Sequence, residues 1–249
     1  MKFPRLGPLL LALIAAACQP AATAVPVAAT AAFLPTATGT STPTPSPIPP
    51  TPTVTLTVAP PARLFTEDFD GQPPHWSYLQ VNADQSEGLP QINAGFLQFD
   101  VAAPNQWIYG IYDPIEYADV RVEAAVQVRG GEYATPGLVC RYDKTKGWYE
   151  LDILEGQTYV LLFGQWLADG VARYTPIVRA QSEKIQPAEN EIGLVCEGDT
   201  LTPFINGTQL RRRQETLFGL TSGKVGVAAS AFEEVPAVIA FDWVKVSEP

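Results

Sequence analysis

The sequence predicts an all-β protein: one two-sheet antiparallel sandwich, carried behind an export leader and a long proline-rich linker. Three observations lead there. Short segments rich in β-branched and aromatic residues recur along 64–249, turn signals such as Asn206-Gly207 and Glu155-Gly156 separate them, and no long apolar stripe of helical period occurs anywhere. Antiparallel strands of this kind bury one face each, and two packed sheets are the ordinary way to cover both.

In chain order, Lys2 and Arg5 form a basic start to the apolar run Leu6 to Ala17, which is too short for a permanent membrane span and reads as a signal peptide over 1–17. The run ends in "LIAAAC". Small residues directly before Cys18 resemble the lipobox of bacterial lipoproteins. That resemblance implies cleavage after Ala17 and lipidation of Cys18, so the mature chain is expected to be exported and anchored on the outer side of a bacterial membrane by lipid alone. From Gln19 to Ala62 there is no charged residue, and eleven of the 24 prolines fall in that stretch. Such a segment buries too little apolar surface to offset the entropy of ordering, and "STPTPSPIPPTPT" favours extended polyproline geometry. Residues 18–63 are therefore expected to be a lipidated cysteine followed by a disordered Thr/Pro/Ala-rich stalk.

Residues 64–249 are one domain's worth of chain. With Lys2 and Arg5 set aside, 14 of the 16 basic residues remain against 26 acidic ones, a net charge of −12. This argues against nucleic acid and against an anionic membrane surface as partners. The strand candidates are "GFLQFDV", "VRVEAAVQV", "GLVCRY", "WYELDIL", "TYVLLFG", "EIGLVCEG", "LTPFING", "GKVGVAAS" and "VIAFDWVKV".

Period-two alternation assigns their faces. Leu138, Cys140 and Tyr142 share one side with Tyr149, Leu151 and Ile153, which is the expected core side. Arg141, Trp148, Glu150 and Asp152 oppose them. If "GLVCRY" and "WYELDI" form a hairpin over the loop 143–148, Arg141 stands opposite Glu150 and neutralises it. Cys140 and Cys196 both fall on core positions. In an exported chain they are expected to form a disulfide, with two buried free thiols as the alternative.

"LFTEDFD", "GLVCRYDKTKGWYELDI", "NEIGLVCEGDTLTPFING", "GKVGVAA" and "AFDWVKV", in that order, resemble the concanavalin A-like (laminin G-like) jelly rolls of bacterial exported proteins, including domains labelled 3-keto-disaccharide hydrolase. The likeness spans about residues 65–246. It implies a jelly roll whose first and last strands pair and whose concave sheet takes carbohydrate or a protein ligand. It also implies a possible structural Ca²⁺ near that pairing, with Glu67, Asp68 and Asp242 as its carboxylates.

Within "WYELDILEGQTY", Glu150, Asp152 and Glu155 have the E-x-D-x-x-E spacing of retaining β-glucanases of the laminarinase and lichenase kind. That chemistry needs two carboxyl groups about 5–5.5 Å apart on one face. A regular strand points Glu155 away from the other two, so catalysis requires a bulge at 153–154, whereas "EGQ" reads as a turn. His75, the sole histidine, sits in a Pro-rich entry loop where no Ser–His or Cys–His pairing has positive support; one histidine and two cysteines expected to be bonded argue against a zinc site, and no glycine-rich phosphate loop or other cofactor signature occurs.

All five tryptophans lie in the domain. Trp76 and Trp243 are assigned to the core. Trp148, with Glu150, Asp152 and Arg141 and with Trp107, Tyr109 and Trp166 as neighbours, is the expected sugar platform. The sequence thus predicts a non-catalytic glycan- or ligand-binding module on a stalk. A glycoside hydrolase using Glu150, Asp152 and Glu155 is the alternative, and a structural or protein-binding surface domain a further one.

Overall fold

The computed structural model describes residues 60–82, 88–131 and 133–249. The leader, Cys18 and nearly all of the stalk lie outside the described residues. Sixteen strands and no helix are found among those described. They are β1 (Phe65–Glu67), β2 (Trp76–Val81), β3 (Gln91–Asn93), β4 (Phe96–Val101), β5 (Gln106–Tyr117), β6 (Val120–Gly130), β7 (Ala134–Asp143) and β8 (Gly147–Leu154), then β9 (Thr158–Ala168), β10 (Val171–Gln181), β11 (Glu189–Glu197), β12 (Thr200–Ile205), β13 (Thr208–Gln209), β14 (Arg213–Gln214), β15 (Gly223–Ala231) and β16 (Ala237–Ser247).

Two antiparallel sheets face each other. Sheet A runs β13-β12-β11-β6-β16-β4-β3, with β1 also paired to β16 and β14 to β12. Sheet B runs β10-β9-β8-β7-β15-β5-β2. The first and last strands pair, Phe65 opposite Val246 and Glu67 opposite Val244. This is a jelly-roll sandwich.

The core between the sheets is built by alternation. Leu138, Cys140, Tyr149, Leu151, Ile153, Tyr159, Leu161 and Phe163 of sheet B meet Val122, Ala124, Val126, Ile192, Leu194, Cys196, Phe241 and Val244 of sheet A. Cys140 on β7 and Cys196 on β11 are joined in a disulfide that ties one sheet to the other, across 56 residues of chain. Just before β1, the tyrosine hydroxyls of Tyr112 and Tyr117 donate to the carbonyls of Ala62 and Arg63 at 2.8 and 2.6 Å. The chain is thus held to the sandwich from Ala62 onward.

Of the register shifts in the two sheets, two bear on the expected faces. In β7 one extra residue lies between Cys140 and Asp143, and Arg141 takes φ 52°. A bulge inserts one residue and turns every later side chain to the other face. Arg141 therefore points to the inter-sheet side and Tyr142 to the outer face, the reverse of regular alternation. The hairpin register is also two residues from the expected one: Val139, not Arg141, stands opposite Glu150, and Cys140 opposite Tyr149. In β16 a second bulge follows Phe241, so that Phe241 and Val244 are core while Trp243 between them is half-buried.

Candidate functional site

The outer face of sheet B carries Trp148, Glu150 and Asp152 from β8, Trp107, Tyr109 and Ile111 from β5, Val139 and Tyr142 from β7, and Trp166 and Tyr174 from β9 and β10. Small residues make room for the large ones. Gly164 is the cross-strand partner of Trp148, and a Cβ there would run into the indole. Gly137 is likewise opposite Asp152, whose Oδ1 occupies the space a Cβ would fill.

This face is rolled over itself. Five inter-strand steps separate β5 from β10 in the sheet, about 24 Å on a flat sheet at roughly 4.8 Å per step. Yet Trp107 of β5 stacks on Tyr174 of β10 with ring centroids 4.7 Å apart. Tyr109 and Tyr174 hydroxyls hydrogen-bond at 3.0 Å, and the backbone N–H of Asn82, just past β2, donates to Gly170 O in the β9–β10 turn at 3.1 Å. The two edges of sheet B thus meet over its middle and bury it.

The expected sugar platform is closed as a result. Trp148 is 0 % exposed, Glu150 0 % and Asp152 3 %. The indole N–H of Trp148 donates to Glu150 Oε2 at 2.8 Å and the Tyr109 hydroxyl to the same oxygen at 3.0 Å. Glu150 Oε1 and Asp152 Oδ1 are buried without a hydrogen-bond partner, and the two side chains, on alternate residues of β8, share one face. Burial pushes the Glu150 carboxyl up against the hydrogen bonds from Asp152, Trp148 and Tyr109. Burial, then the Glu150 charge, pushes Asp152 well above the ordinary carboxylate range.

Arg141 does not join them, which corrects the expected Arg141–Glu150 pair. The β7 bulge sends its guanidinium through the sheet, where Nε and Nη2 donate to Ala118 O at 2.9 and 2.7 Å and Nη1 donates to Gly198 O and Leu220 O at 2.8 Å each. Asp119, at 3.5 Å, is its carboxylate partner. Glu155 also stands apart. β8 ends at Leu154, Gly156 and Gln157 adopt φ 63° and 56°, Thr158 N donates back to Glu155 O, and Glu155 lies exposed in that turn beside an inter-sheet opening lined by Ile153, Leu154 and Ile185.

The calcium set does not converge. Among the described residues no three His, Cys, Asp or Glu side chains come together as metal ligands. Glu67 Oε1 instead accepts from the Phe69 N–H at 3.4 Å, and Asp242 opens onto the outer face of sheet A beside Gln127 and Glu191.

What remains open on this side of sheet B is a cleft of about 630 Å³ between β2 and the β9–β10 turn. Leu79, Tyr142 and Trp166 wall it, and Ser77, Asp113, Lys144, Asp169 and Lys224 supply polar groups. Lys224 Nζ donates to Asp113 Oδ1 at 2.7 Å. Tyr78 of β2 points the other way, its ring packed on the inter-sheet core and its hydroxyl pushed up to about 12 by burial and then by the Glu67 charge. Of the expected ligand residues only Trp166 lines this cleft. Tyr142 escaped sequence reading because the bulge reversed its face.

No protein-family model matches the sequence, and no curated protein does. Solved structures share the fold. The carbohydrate-binding module CBM66 from Bacillus subtilis superposes with a TM-score of 0.51 at 13 % identity, covering 67 % of this chain and 91 % of that one. A Bacillus licheniformis beta-glucanase gives 0.53 at 11 % identity over 75 % and 98 % of the two chains. An endo-beta-1,3-glucanase from Pyrococcus furiosus gives 0.51 at 14 % identity over 74 % and 93 %. The domain is a concanavalin A-like jelly roll, of the fold that both binding modules and glucanases use.

Proposed function

We propose that this chain is an exported, lipid-anchored surface protein whose jelly roll, raised on its stalk, binds a glycan without cleaving it. The observation that carries this reading is the contrast along one face of sheet B. The carboxylates that would perform hydrolysis are sealed under aromatic rings, while the accessible part is an aromatic-walled cleft with paired charges. Tyr142 and Trp166 suit the apolar faces of pyranose rings, and Asp113, Lys224 and Asp169 suit their hydroxyls. The solved binding module with the same fold supports the class of ligand.

A glycan array with the purified protein tests this, followed by titration of any hit against Trp166→Ala. Loss of at least tenfold in affinity is expected. Absence of binding to every sugar removes the carbohydrate part of the proposal.

Glycoside hydrolysis is the second reading, and one observation favours it: Glu150 and Asp152 project side by side with raised proton affinity, the character of a general acid. Product release from β-glucans by the wild type, abolished in Glu150→Gln, would replace binding by catalysis.

A further inference from the structure

Glu150 and Asp152 sit on alternate residues of β8 and point the same way into a space that water does not reach. Every element packed against them is accounted for. From β5 comes Tyr109; from β10, Tyr174; from β7, Gly137, Val139 and Tyr142; from β9, Val160 and Leu162 as cross-strand partners; from β15, Ala228. None of these is a cation, and no ion pair among the described residues involves either carboxyl. On β10, Arg179 stands opposite Val160, itself opposite Asp152, yet makes no ion pair with either carboxyl, and Asp113 and Lys224 lie in the cleft beside Tyr142, paired with each other. Two adjacent buried carboxylates with no cation each carry a desolvation cost in addition to their mutual repulsion, which favours keeping a proton on the pair.

The pair is wired to the cover above it. Glu150 Oε2 accepts from Tyr109, whose hydroxyl meets that of Tyr174 on β10, the strand that closes the face. Tyr174 in turn stacks on Trp107 and touches Trp148 edge-on, so hydrogen bonds and rings from β5 and β8 converge on β10.

We propose that Glu150 and Asp152 share one proton that latches this fold: while it is held, β10 lies closed over the outer face of sheet B, and its loss releases β10 and opens the face to water. Opening lets a second negative charge be solvated, and the Glu150–Tyr109–Tyr174 chain is the mechanical link. The device operates whether or not the neighbouring cleft binds glycan.

The direction follows from linkage. Both carboxyls bind protons more tightly in the closed form than when exposed. The closed form is therefore fully favoured below the ordinary carboxylate range, about pH 4, and loses its advantage as pH rises toward the raised closed-state values. For release of one proton the closed-to-open ratio falls about tenfold per pH unit across that window.

The test uses the full chain at pH 5 to 9, well below its unfolding temperature. Acrylamide quenching of tryptophan fluorescence is expected to rise with pH as Trp107 and Trp148 become accessible, while far-ultraviolet circular dichroism stays constant. The Glu150→Gln/Asp152→Asn double variant is expected to show no such rise. The infrared spectrum of the wild type in heavy water at pH 7 is expected to show the carbonyl stretch of a protonated carboxylic acid. Absence of that band, a quenching profile flat with pH, or an unchanged profile in the double variant overturns the proposal. Should the double variant not fold, the two wild-type measurements decide alone.

Discussion

At the scale of the residue, the two most informative side chains are an arginine on the wrong side of its strand and a glycine beneath a tryptophan. Arg141 is buried and spends its donors on the carbonyls of Ala118, Gly198 and Leu220, three separate loops. Removing it leaves those acceptors without partners. Arg141→Met is expected to cost about 3 kcal/mol in urea denaturation. Arg141→Lys should recover little of it, because a single ammonium cannot reach three diverging carbonyls as the planar fork does. Gly164 stands under Trp148 with no room for a methyl group. Gly164→Ala is expected to destabilise by about 1–3 kcal/mol and to displace the indole, which a blue-to-red change in tryptophan emission would report.

Among the elements, β7 and β8 decide most of what sequence reading got right and wrong. Regular alternation placed Leu138, Cys140, Tyr149, Leu151 and Ile153 on the inter-sheet side, and each is there. It failed from Arg141 onward, since a bulge depends on the fit of β7 against both β8 and β15 and leaves no mark in the composition of "GLVCRY". The expected turn at "EGQ" is present because Gly156 takes a left-handed conformation and the next strand returns at Thr158. The same hairpin pair bears one end of the Cys140–Cys196 bond. Closing a loop of this length is worth about 4 kcal/mol in the chain-entropy description. Reduction, or a Cys140→Ala/Cys196→Ala double variant, is expected to lower the thermal midpoint by at least 8 °C or so, as scanning calorimetry would show.

Over the whole molecule, sheet B behaves as more than half of a sandwich. One face packs on sheet A, and the other closes on itself into a second apolar cluster around Trp148. The ligand surface that alternation located at Trp148, Glu150 and Asp152 was drawn for an open sheet. Which part of it stays accessible depends on a contact between strands five places apart, and among the described residues the cleft beside Tyr142 and Trp166 does. The linker and anchor carry their own expectation. Limited proteolysis is expected to trim the chain back toward Ala62 and Arg63, where Tyr112 and Tyr117 grip the backbone, and to leave the remainder intact by mass spectrometry. Cys18→Ser is expected to move the protein from the membrane fraction to the soluble one.

Composition and period-two alternation by themselves determined the all-β class, the two-sided core and the placing of both disulfide cysteines within it, because burial of apolar side chains is a local, repeating demand that a sequence must encode residue by residue. The tertiary structure alone decided where β7 and β16 bulge, that Arg141 clamps loops instead of Glu150, and that Glu150 and Asp152 lie sealed under aromatic rings. Those outcomes depend on the curvature of a sheet and on rings meeting across its width, and curvature is the sum of contacts between residues that no short stretch of sequence brings together.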